Sequence, residues 1–253
     1  MTVSPTEMRS AAALELAMVM PVFNEAACIA PVVDSWLAAL TALGIRFRII
    51  VLNDGSTDDT VAQLAVFAGD ARVTVVNKRN TGHGPTILAG YRQAVRLADW
   101  LFQCDSDDEM RAEHFAPLWA ARVDADALFG TRTGRVQNWS RALLSAASRL
   151  TVRLVFGRAV PDVNTPFRLM RAPLLAEILR QMPDDLFAPN VIISGALARA
   201  GCRLVFRPTP HAGRKTGAAS IVKWRLVKAA VKAFGQTLRC RPRLARRSGD
   251  DRV

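Results

Sequence analysis

The chain has 253 residues, half of them hydrophobic, and carries a formal net charge of +12. This length and composition exclude an intrinsically disordered protein and leave room for one large domain, alone or with an appendage. The longest uncharged run, 186–198, is shorter than the roughly 20 residues that cross a bilayer.

Apolar runs of strand length alternate with helical patterns along the first half of the chain. We predict strands at 17–23, 47–52, 73–76, 100–103 and 126–129, and helices at 26–43, 58–68 and 85–97. Ser56 or Thr57 is the expected N-cap of the second helix. Elements that alternate at this spacing favour an α/β fold with a mostly parallel, doubly wound sheet flanked by helices.

Beyond residue 130 the alternation fades. Helices are predicted at 138–156, 172–181 and 220–238, and a strand at 203–207. We expect residues 1–218 to form the α/β domain, with a helical region in its second half. Residues 219–253 are expected to form a basic amphipathic helix followed by a disordered tail.

Two acidic segments stand where predicted strands give way to loops. Residues 53–56 (Asn-Asp-Gly-Ser) follow the second strand, and residues 105–107 (Asp-Ser-Asp) follow the fourth. Ligands of an open α/β sheet collect at the carboxyl ends of its strands. Carboxylates gathered there without a basic neighbour need a cation, and Asp-x-Asp suits Mg²⁺ or Mn²⁺. Such a metal most often holds a diphosphate, which is the strongest clue to function.

Other known nucleotide-binding motifs match the sequence poorly. Residues 82–84 (Gly-His-Gly) begin like a dinucleotide fingerprint, but Ile87 stands where the third glycine belongs, and the first strand has no glycine loop. The chain also lacks a Gly-Lys-Ser/Thr phosphate loop and the glycine-rich loop of a nucleotidyltransferase. What remains is metal-assisted binding of a diphosphate, with the base and ribose held by loops after the first two strands.

Taken in order, these motifs resemble the family 2 glycosyltransferases of the GT-A fold. In layout the chain is most similar to the dolichyl- or polyprenyl-phosphate sugar transferases. The matching segments are 21–25 (Pro-Val-Phe-Asn-Glu), 53–58 (Asn-Asp-Gly-Ser-Thr-Asp), 80–84 with Gly90, 105–107, 130–132 (Gly-Thr-Arg) and 162–168. The resemblance implies that 1–218 is a GT-A domain with a helical acceptor-side region. It also implies a nucleoside-diphosphate sugar donor, a divalent metal and inversion at the anomeric carbon.

The resemblance assigns the metal and the nucleotide to the first half of the chain. Asp105 and Asp107 would bind the metal, which bridges both phosphates of the donor, and Asp105 would also contact the nucleotide. Asp54 would accept hydrogen bonds from the base or the ribose. Residues 53–56 are also of the types preferred in turns, so the alternative is that this segment only turns the chain.

The same resemblance places Pro21, Phe23 and Glu25 in the base pocket. Gly82 and Gly84 would let the backbone approach the ligand, or would serve a left-handed turn. The structural alternatives are a core position for Phe23 and a place in the first turn of a helix for Glu25.

Arginines further along the chain are candidates for phosphate and acceptor binding. Their fork geometry suits anionic groups, and the resemblance puts Arg132 at the donor or acceptor phosphate, with Arg141 as a second candidate. Arg214 and Ser220 match an Arg-x-x-Gly-x-Ser segment, a loop that would close over the diphosphate and the acceptor phosphate. The alternative is a polar linker. Arg168 is expected to pair with an acid and to support the fold.

The acceptor decides whether a general base is needed. A polyprenyl phosphate is already anionic, whereas a sugar hydroxyl must lose a proton to a carboxylate. Glu109 and Asp162 are the only candidates for that base. We therefore favour a polyprenyl-phosphate acceptor, with a glycan or other hydroxyl as the alternative. A non-catalytic sugar-nucleotide or lipid-binding partner is a third possibility, against which the intact Asp54, Asp105 and Asp107 argue.

The C-terminal fifth of the chain carries all of the excess positive charge. Residues 201–253 hold 14 Lys and Arg against two acids. The predicted helix 220–238 places Trp224, Val227, Val231 and Phe234 on one face. Such a basic amphipathic helix can lie on an anionic membrane, or can pack on the domain with a solvated flank. Because no nucleic-acid-binding motif accompanies it, we expect an anionic membrane surface or a membrane partner protein, and no nucleic acid.

Cysteine use and the N-terminal sequence bear on the compartment. The four cysteines are widely spaced without a Cys-x-x-Cys pair, and the first 16 residues have no basic region before an apolar one. These features favour a cytoplasmic chain with free thiols over a secreted one. We expect a cytoplasmic protein that lies peripherally on the inner face of the membrane.

Overall fold

A single mixed sheet of seven strands organises the molecule. The computed structural model describes residues 14–133, 139–158, 160–212, 223–241 and 244, with side chains described outside 139–145 and 223–230. The strands are β1 (Leu14–Val22), β2 (Phe47–Asp54), β3 (Val73–Lys78), β4 (Ala98–Gln103), β5 (Ala127–Thr133), β6 (Arg168–Arg171) and β7 (Leu204–Pro210). Their spatial order is β3-β2-β1-β4-β6-β5-β7.

The first four strands are parallel, as the sequence predicts. β2 and β4 flank β1, and β3 lies outside β2. β6 then runs antiparallel between β4 and β5, and β7 is parallel to β5. β6 escaped prediction because it is four residues long and two of them are arginine (Arg-Leu-Met-Arg), a composition untypical of an isolated strand.

Eight α-helices are described, on both faces of the sheet. They are α1 (Ile29–Ala42), α2 (Thr60–Ala65), α3 (His83–Ala94), α4 (Phe115–Ala120), α5 (Trp139–Phe156), α6 (Ala172–Leu179), α7 (Pro189–Arg199) and α8 (Lys223–Arg239), with short 3₁₀ turns at Ala112–His114 and Ala121–Asp124. α7 was not predicted, because residues 189–198 are all buried and so lack the polar face that reveals a surface helix.

The start of α2 differs from the prediction. Ser56 and Thr57 do not cap it. Instead Oδ1 of Asp58 accepts a hydrogen bond from the backbone N–H of Thr60 at 3.1 Å. The Ser56 hydroxyl accepts from the backbone N–H of Asn24 at 2.9 Å, so it joins two loops rather than ending a helix.

Two apolar cores lie on opposite faces of the sheet, since successive strand residues point to opposite sides. Val19 and Leu101 belong to one core, and their neighbours Met18 and Phe102 belong to the other. The second core contains a cluster of aromatic rings with centroids 4.6–6.1 Å apart: Trp36, Phe102, Phe115 and Phe167. The sheet is therefore buried on both faces, and ligands must approach from its edges.

α8 is packed against the rest of the molecule through α5 and the segment before α7. The Gln236 side chain accepts a hydrogen bond from the N–H of Phe187 at 2.8 Å and donates to the carbonyl of Asp185 at 3.1 Å. The predicted division between 1–218 and 219–253 stays a prediction, and most of the tail beyond 241 lies outside the described residues. Within the described part, no helix has the length and apolar character needed to traverse a bilayer.

Gly90 lets α3 lie close to the sheet. A Cβ atom at this position would stand 2.5 Å from Cγ1 of Val19 and 2.7 Å from Cδ1 of Leu52, both buried strand residues. Core side chains at this density have little freedom to move aside. The position of α3, and of the loop that precedes it, therefore depends on the absence of a side chain at Gly90.

We predict that Gly90→Ala lowers the free energy of unfolding by about 1–3 kcal/mol, because overpacking forces a shift of α3 or of the strands. Gly235→Ala in α8 is the matched control. In the described part of the chain, no atom beyond the adjacent residues and the backbone of α8 lies within 4 Å of its added Cβ, so it should be neutral or stabilise by up to about 1 kcal/mol through helix propensity. Urea unfolding of both variants checks this, and equal stabilities would contradict it.

Candidate functional site

A cleft of about 420 Å³ opens at the carboxyl edge of β1, β2 and β4. These strands are neighbours and parallel, so the loops that follow them meet at one place. The lining residues are Pro21, Val22, Phe23, Glu25, Asp54, Asn80, Gly82, His83, Thr86, Asp105, Ser106 and Asp107.

The structure thus brings most of the predicted donor-side residues together. Pro21, Phe23 and Glu25 come from the end of β1, and the carboxylates come from β2 and from the loop after β4. The Phe23 ring is 47% exposed, so it is available for stacking and is not a core residue. Glu25 precedes α1 and is nearly buried in the wall of the cleft.

The loops after β1 and β2 are bonded to each other. The backbone N–H of Thr57 donates to Oδ1 of Asn24 at 2.8 Å, and the backbone N–H of Glu25 donates to the Thr60 hydroxyl at 2.9 Å. Asn24 adopts the left-handed region with φ of 54°. Within the second loop, the N–H of Ser56 donates to the Asn53 side chain at 3.1 Å, which is the turn chemistry expected there. The turn therefore also builds one wall of the cleft.

Asp54 holds the loop between β3 and α3. It is buried, and its two oxygens accept hydrogen bonds from the backbone N–H groups of Thr81 and Gly82, each at 2.9 Å. Lys78 also bonds to it. Burial works to raise the pKa of Asp54, but the bonds from Lys78 and Thr81 outweigh it and hold that pKa below its ordinary value. Asp54 is thus an anion that shapes the cleft, and its direct contact with a nucleotide stays a prediction.

The two glycines at the head of α3 serve different purposes. Gly82 has φ of 94°, in the region that favours glycine, and it lines the cleft. Gly84 faces away from the cleft. A Cβ there would lie 2.1 Å from the carbonyl oxygen of Leu186 and 2.5 Å from that of Phe187. Gly84 therefore permits a backbone-to-backbone contact inside the protein, and its predicted contact with the ligand finds no support.

Asp105 and Asp107 concentrate negative charge at the inner end of the cleft. Oδ1 of Asp105 accepts a hydrogen bond from the side-chain amide of Gln103 at 3.1 Å, and Nε2 of His83 lies 3.7 Å from the same oxygen. Oδ1 of Asp107 accepts from the backbone N–H of Glu109 at 3.2 Å. Burial and the neighbouring carboxylates raise the pKa of the Cys104 thiol, which reflects the negative potential there.

This donor set fits a hard divalent cation that is shared with its substrate. In the part of the chain that the structure describes, no three Asp, Glu, His or Cys side chains form a complete metal cage. Mg²⁺ is typically bound by one or two carboxylates together with substrate phosphates and water. Asp105 and Asp107 offer those carboxylates at a cleft wide enough for a diphosphate.

A second, smaller cavity of about 40 Å³ adjoins the same two carboxylates. Two ion pairs lie beside it. The Arg132 guanidinium donates two hydrogen bonds to Asp162, both at 2.9 Å, and the His211 ring lies 2.8 Å from a carboxylate oxygen of Glu109. The backbone N–H of residue 212 also donates to the carbonyl of Glu109 at 2.9 Å. The end of β7 is therefore fastened to the loop that follows Asp107.

Some phosphate-site candidates are placed and others are not. Arg132 lines the smaller cavity beside Asp105 and Asp107. The Arg141 side chain, Arg214 and Ser220 lie outside the described residues, so their predicted roles stay predictions.

The expectation that Arg168 pairs with an acid was wrong. Its guanidinium is fully buried, and the hydrogen bonds described for it go to backbone carbonyls and to the Ser194 hydroxyl.

Sequence reasoning missed three side chains at the site. Gln103 and His211 contact the carboxylates described above, and His83 was noticed in the sequence but given no role. Gln103 carried a usable signal, since a polar residue in an apolar strand needs a buried partner. His211 carried none, because its contact with Glu109 joins residues about 100 positions apart.

A sequence profile of glycosyl transferase family 2 matches residues 17–179, which run from within β1 to the end of α6. The chain belongs to glycosyl transferase family 2. The undecaprenyl-phosphate 4-deoxy-4-formamido-L-arabinose transferase of Enterobacter sp. (strain 638) is 28% identical over 220 residues, covering 84% of this chain and 64% of the relative. The enzyme of the same name from Pectobacterium atrosepticum is 28% identical over 188 residues, covering 73% and 56%. This family member thus spans less than two thirds of the relatives' length.

Solved structures share the fold of this glycosyl transferase family 2 chain. Glucosyl-3-phosphoglycerate synthase from Mycobacterium tuberculosis, crystallised with Mn²⁺, UDP and glucosyl-3-phosphoglycerate, superposes with a TM-score of 0.64 at 17% identity, covering 94% of this chain and 83% of that one. S. aureus TarS in complex with UDP-GlcNAc superposes with a TM-score of 0.56 at 18% identity, covering 89% and 70%. The predicted GT-A fold is confirmed.

Proposed function

We propose that this protein is an inverting, metal-assisted glycosyltransferase that moves a sugar from a nucleoside-diphosphate sugar to a polyprenyl phosphate. The donor occupies the larger cleft, with its base near Phe23 and Glu25 and its diphosphate near Asp105 and Asp107. A Mg²⁺ or Mn²⁺ ion bound there supplies positive charge to the departing nucleoside diphosphate. The relatives named above support this choice of acceptor, and the structural neighbours with bound UDP support this class of donor.

The observation that carries the acceptor assignment is the state of the two candidate bases. Both oxygens of Asp162 accept hydrogen bonds from Arg132, and Glu109 is bonded to the nearly buried His211. Both Asp162 oxygens and one Glu109 oxygen thus already have a side-chain partner, and an incoming hydroxyl would have to compete for them. A phosphate acceptor needs no base, because its oxygen is already charged. The smaller cavity between these pairs adjoins Asp105 and Asp107, where the acceptor oxygen has to meet the sugar.

The two cavities carry more negative than positive formal charge. Anionic substrates can therefore bind there only together with additional cations. Lys78 and Arg132 are each paired with a carboxylate. The carboxylates nearby are more numerous: Glu25, Asp54, Asp105, Asp107, Glu109 and Asp162. A diphosphate and a phosphate can meet there only with further positive charge. We assign that charge to the divalent metal and to the basic segment that contains Arg214.

A hydroxyl acceptor is the second candidate, favoured by the Glu109–His211 contact of 2.8 Å. A carboxylate that orients an imidazole is a common base arrangement in enzymes. This alternative makes Glu109 essential, whereas the phosphate acceptor does not.

We further propose that α5 and α8 rest on an anionic membrane surface. Neither helix contains an acidic residue, and together they carry eight Lys and Arg. Large apolar side chains are exposed on both, with Leu154 at 70% and Val231 at 67%, and Leu150, Phe234 and Leu238 are exposed as well. Exposed apolar side chains flanked by basic ones are typical of interfacial helices. The side chains of Trp224 and Val227 lie outside the described set.

We predict that Asp105→Asn and Asp107→Asn each lower kcat by about 100-fold or more, because the negative ligands of the metal are lost. The measurement is sugar transfer from a panel of GDP- and UDP-sugars to short-chain polyprenyl phosphate with Mg²⁺ or Mn²⁺. Asp99→Asn, a change at the opposite end of β4, is the control and should keep parental activity. Full activity in either site variant would contradict the proposal that these two carboxylates bind the metal.

Glu109→Gln separates the two acceptor classes. Glutamine keeps the shape and a hydrogen bond to His211, so transfer to a phosphate acceptor should fall by less than about 10-fold. Loss of a general base would cost about 100- to 10,000-fold. The same donor panel, offered with polyprenyl phosphate and with sugar hydroxyls, gives the result. A large loss with a hydroxyl acceptor would establish the alternative.

Membrane binding is tested with Val231→Ser combined with Phe234→Ser. We expect this double variant to bind vesicles that contain anionic phosphatidylglycerol at least about 10-fold more weakly, because apolar area no longer enters the interface. Val123→Ser, at an equally exposed valine in a 3₁₀ turn, is the control and should bind like the parent. Cosedimentation measures both. Equal binding by all three proteins would contradict the proposal.

A further inference from the structure

A chain of buried polar side chains lies beneath the Asp105 carboxylate. It consists of Tyr91 from α3, Gln103 from β4 and Asn190 from α7, and none of them is more than 3% exposed. Tyr91 itself belongs to the apolar core on that face of the sheet. Polar groups in such surroundings are costly unless they are bonded to one another.

The hydrogen bonds fix the orientation of the Gln103 amide. Its oxygen lies 2.6 Å from the Tyr91 hydroxyl and accepts a hydrogen bond from the side-chain nitrogen of Asn190 at 2.8 Å. The Tyr91 hydroxyl also lies 2.9 Å from Oδ1 of Asn190. Because an ionised carboxylate only accepts hydrogen bonds, the amide nitrogen of Gln103 is the atom that faces Asp105, and it donates to Oδ1 at 3.1 Å. A flipped amide would point an oxygen at a carboxylate.

Arg168 anchors the far end of this chain. Its guanidinium donates to the carbonyl of Asn190 and to the Ser194 hydroxyl, both at 3.3 Å, and both residues belong to α7. Arg168 also carries a buried positive charge on the strand next to β4. Hydrogen bonds therefore connect four separate elements, α3, β4, β6 and α7, behind the Gln103 amide that donates to Asp105.

We infer that Gln103 is a positioning residue for the metal site, held by Tyr91 and Asn190 so that Asp105 presents its carboxylate to the metal in one rotamer. The inference rests on the proposed metal-assisted function and deepens it. Gln103 does not touch the metal or the substrate. It acts through Asp105, in the way that hydrogen bonds behind metal ligands orient them and tune their affinity.

The test is Mn²⁺ binding without turnover. Free Mn²⁺ is measured by electron paramagnetic resonance, with the full chain and either UDP or GDP present. We expect Gln103→Met, which keeps the volume and removes the amide, to weaken Mn²⁺ binding about 10-fold or more. Tyr91→Phe removes only one hydroxyl, and should weaken binding in the same direction by a smaller factor. Thr151→Val is the control, because its buried hydroxyl bonds within α5, and it should bind like the parent.

Each outcome decides something. Equal Mn²⁺ binding by the parent, Gln103→Met and Tyr91→Phe overturns the inference and leaves the proposed function standing. An equal loss in Thr151→Val also overturns it, because the effect would then be general destabilisation. If the parent binds no Mn²⁺ with either nucleotide, the metal-assisted function itself fails and the inference falls with it. Should circular dichroism show that Gln103→Met is unfolded, Tyr91→Phe alone decides.

Discussion

Repulsion between carboxylates at one sheet edge is the constraint on which the rest of the structure depends. Parallel strands on either side of β1 deliver Asp54 and Asp105 to the same cleft, and Asp107 follows two residues later. Like charges gathered in one cleft destabilise the folded state unless they are compensated. The protein compensates Asp54 with Lys78 and two backbone N–H groups, and Asp105 with the Gln103 amide. The remaining negative charge is what a bound divalent metal would neutralise.

The need to compensate these charges explains why the polar contacts differ between the two cavities. On the donor side they join neighbouring loops, as in the bonds from Asn24 and Thr60 across the cleft wall. On the acceptor side they form closed ion pairs, Arg132 with Asp162 and His211 with Glu109. In the proposed function these two contacts would hold the walls of the smaller cavity, where the acceptor binds.

The sequence predicted the first half of the fold well, because β1 to β4 and their helices have regular hydrophobic periods and short connections. The gathering of Phe23, Asp54 and Asp105 in one cleft was predictable for the same reason, because each stands at or just after the end of one of those strands. Contacts between distant residues were beyond its reach. The antiparallel β6, the wholly buried α7 and the contact of His211 with Glu109 are set by tertiary packing, which no local pattern records. The packing of Gly84 was equally beyond reach, since its neighbours are carbonyls about 100 residues away.

The contact at Gly84 has a mechanical consequence. Leu186 and Phe187 touch the head of α3 through backbone atoms, with no compressible side chain between them. The same segment is hydrogen-bonded to Gln236 of α8. A movement of α8 would therefore pass through backbone atoms to the head of α3, where Gly82 and His83 line the cleft. In the proposed function, the membrane contact of α8 and the binding of the donor would be mechanically coupled.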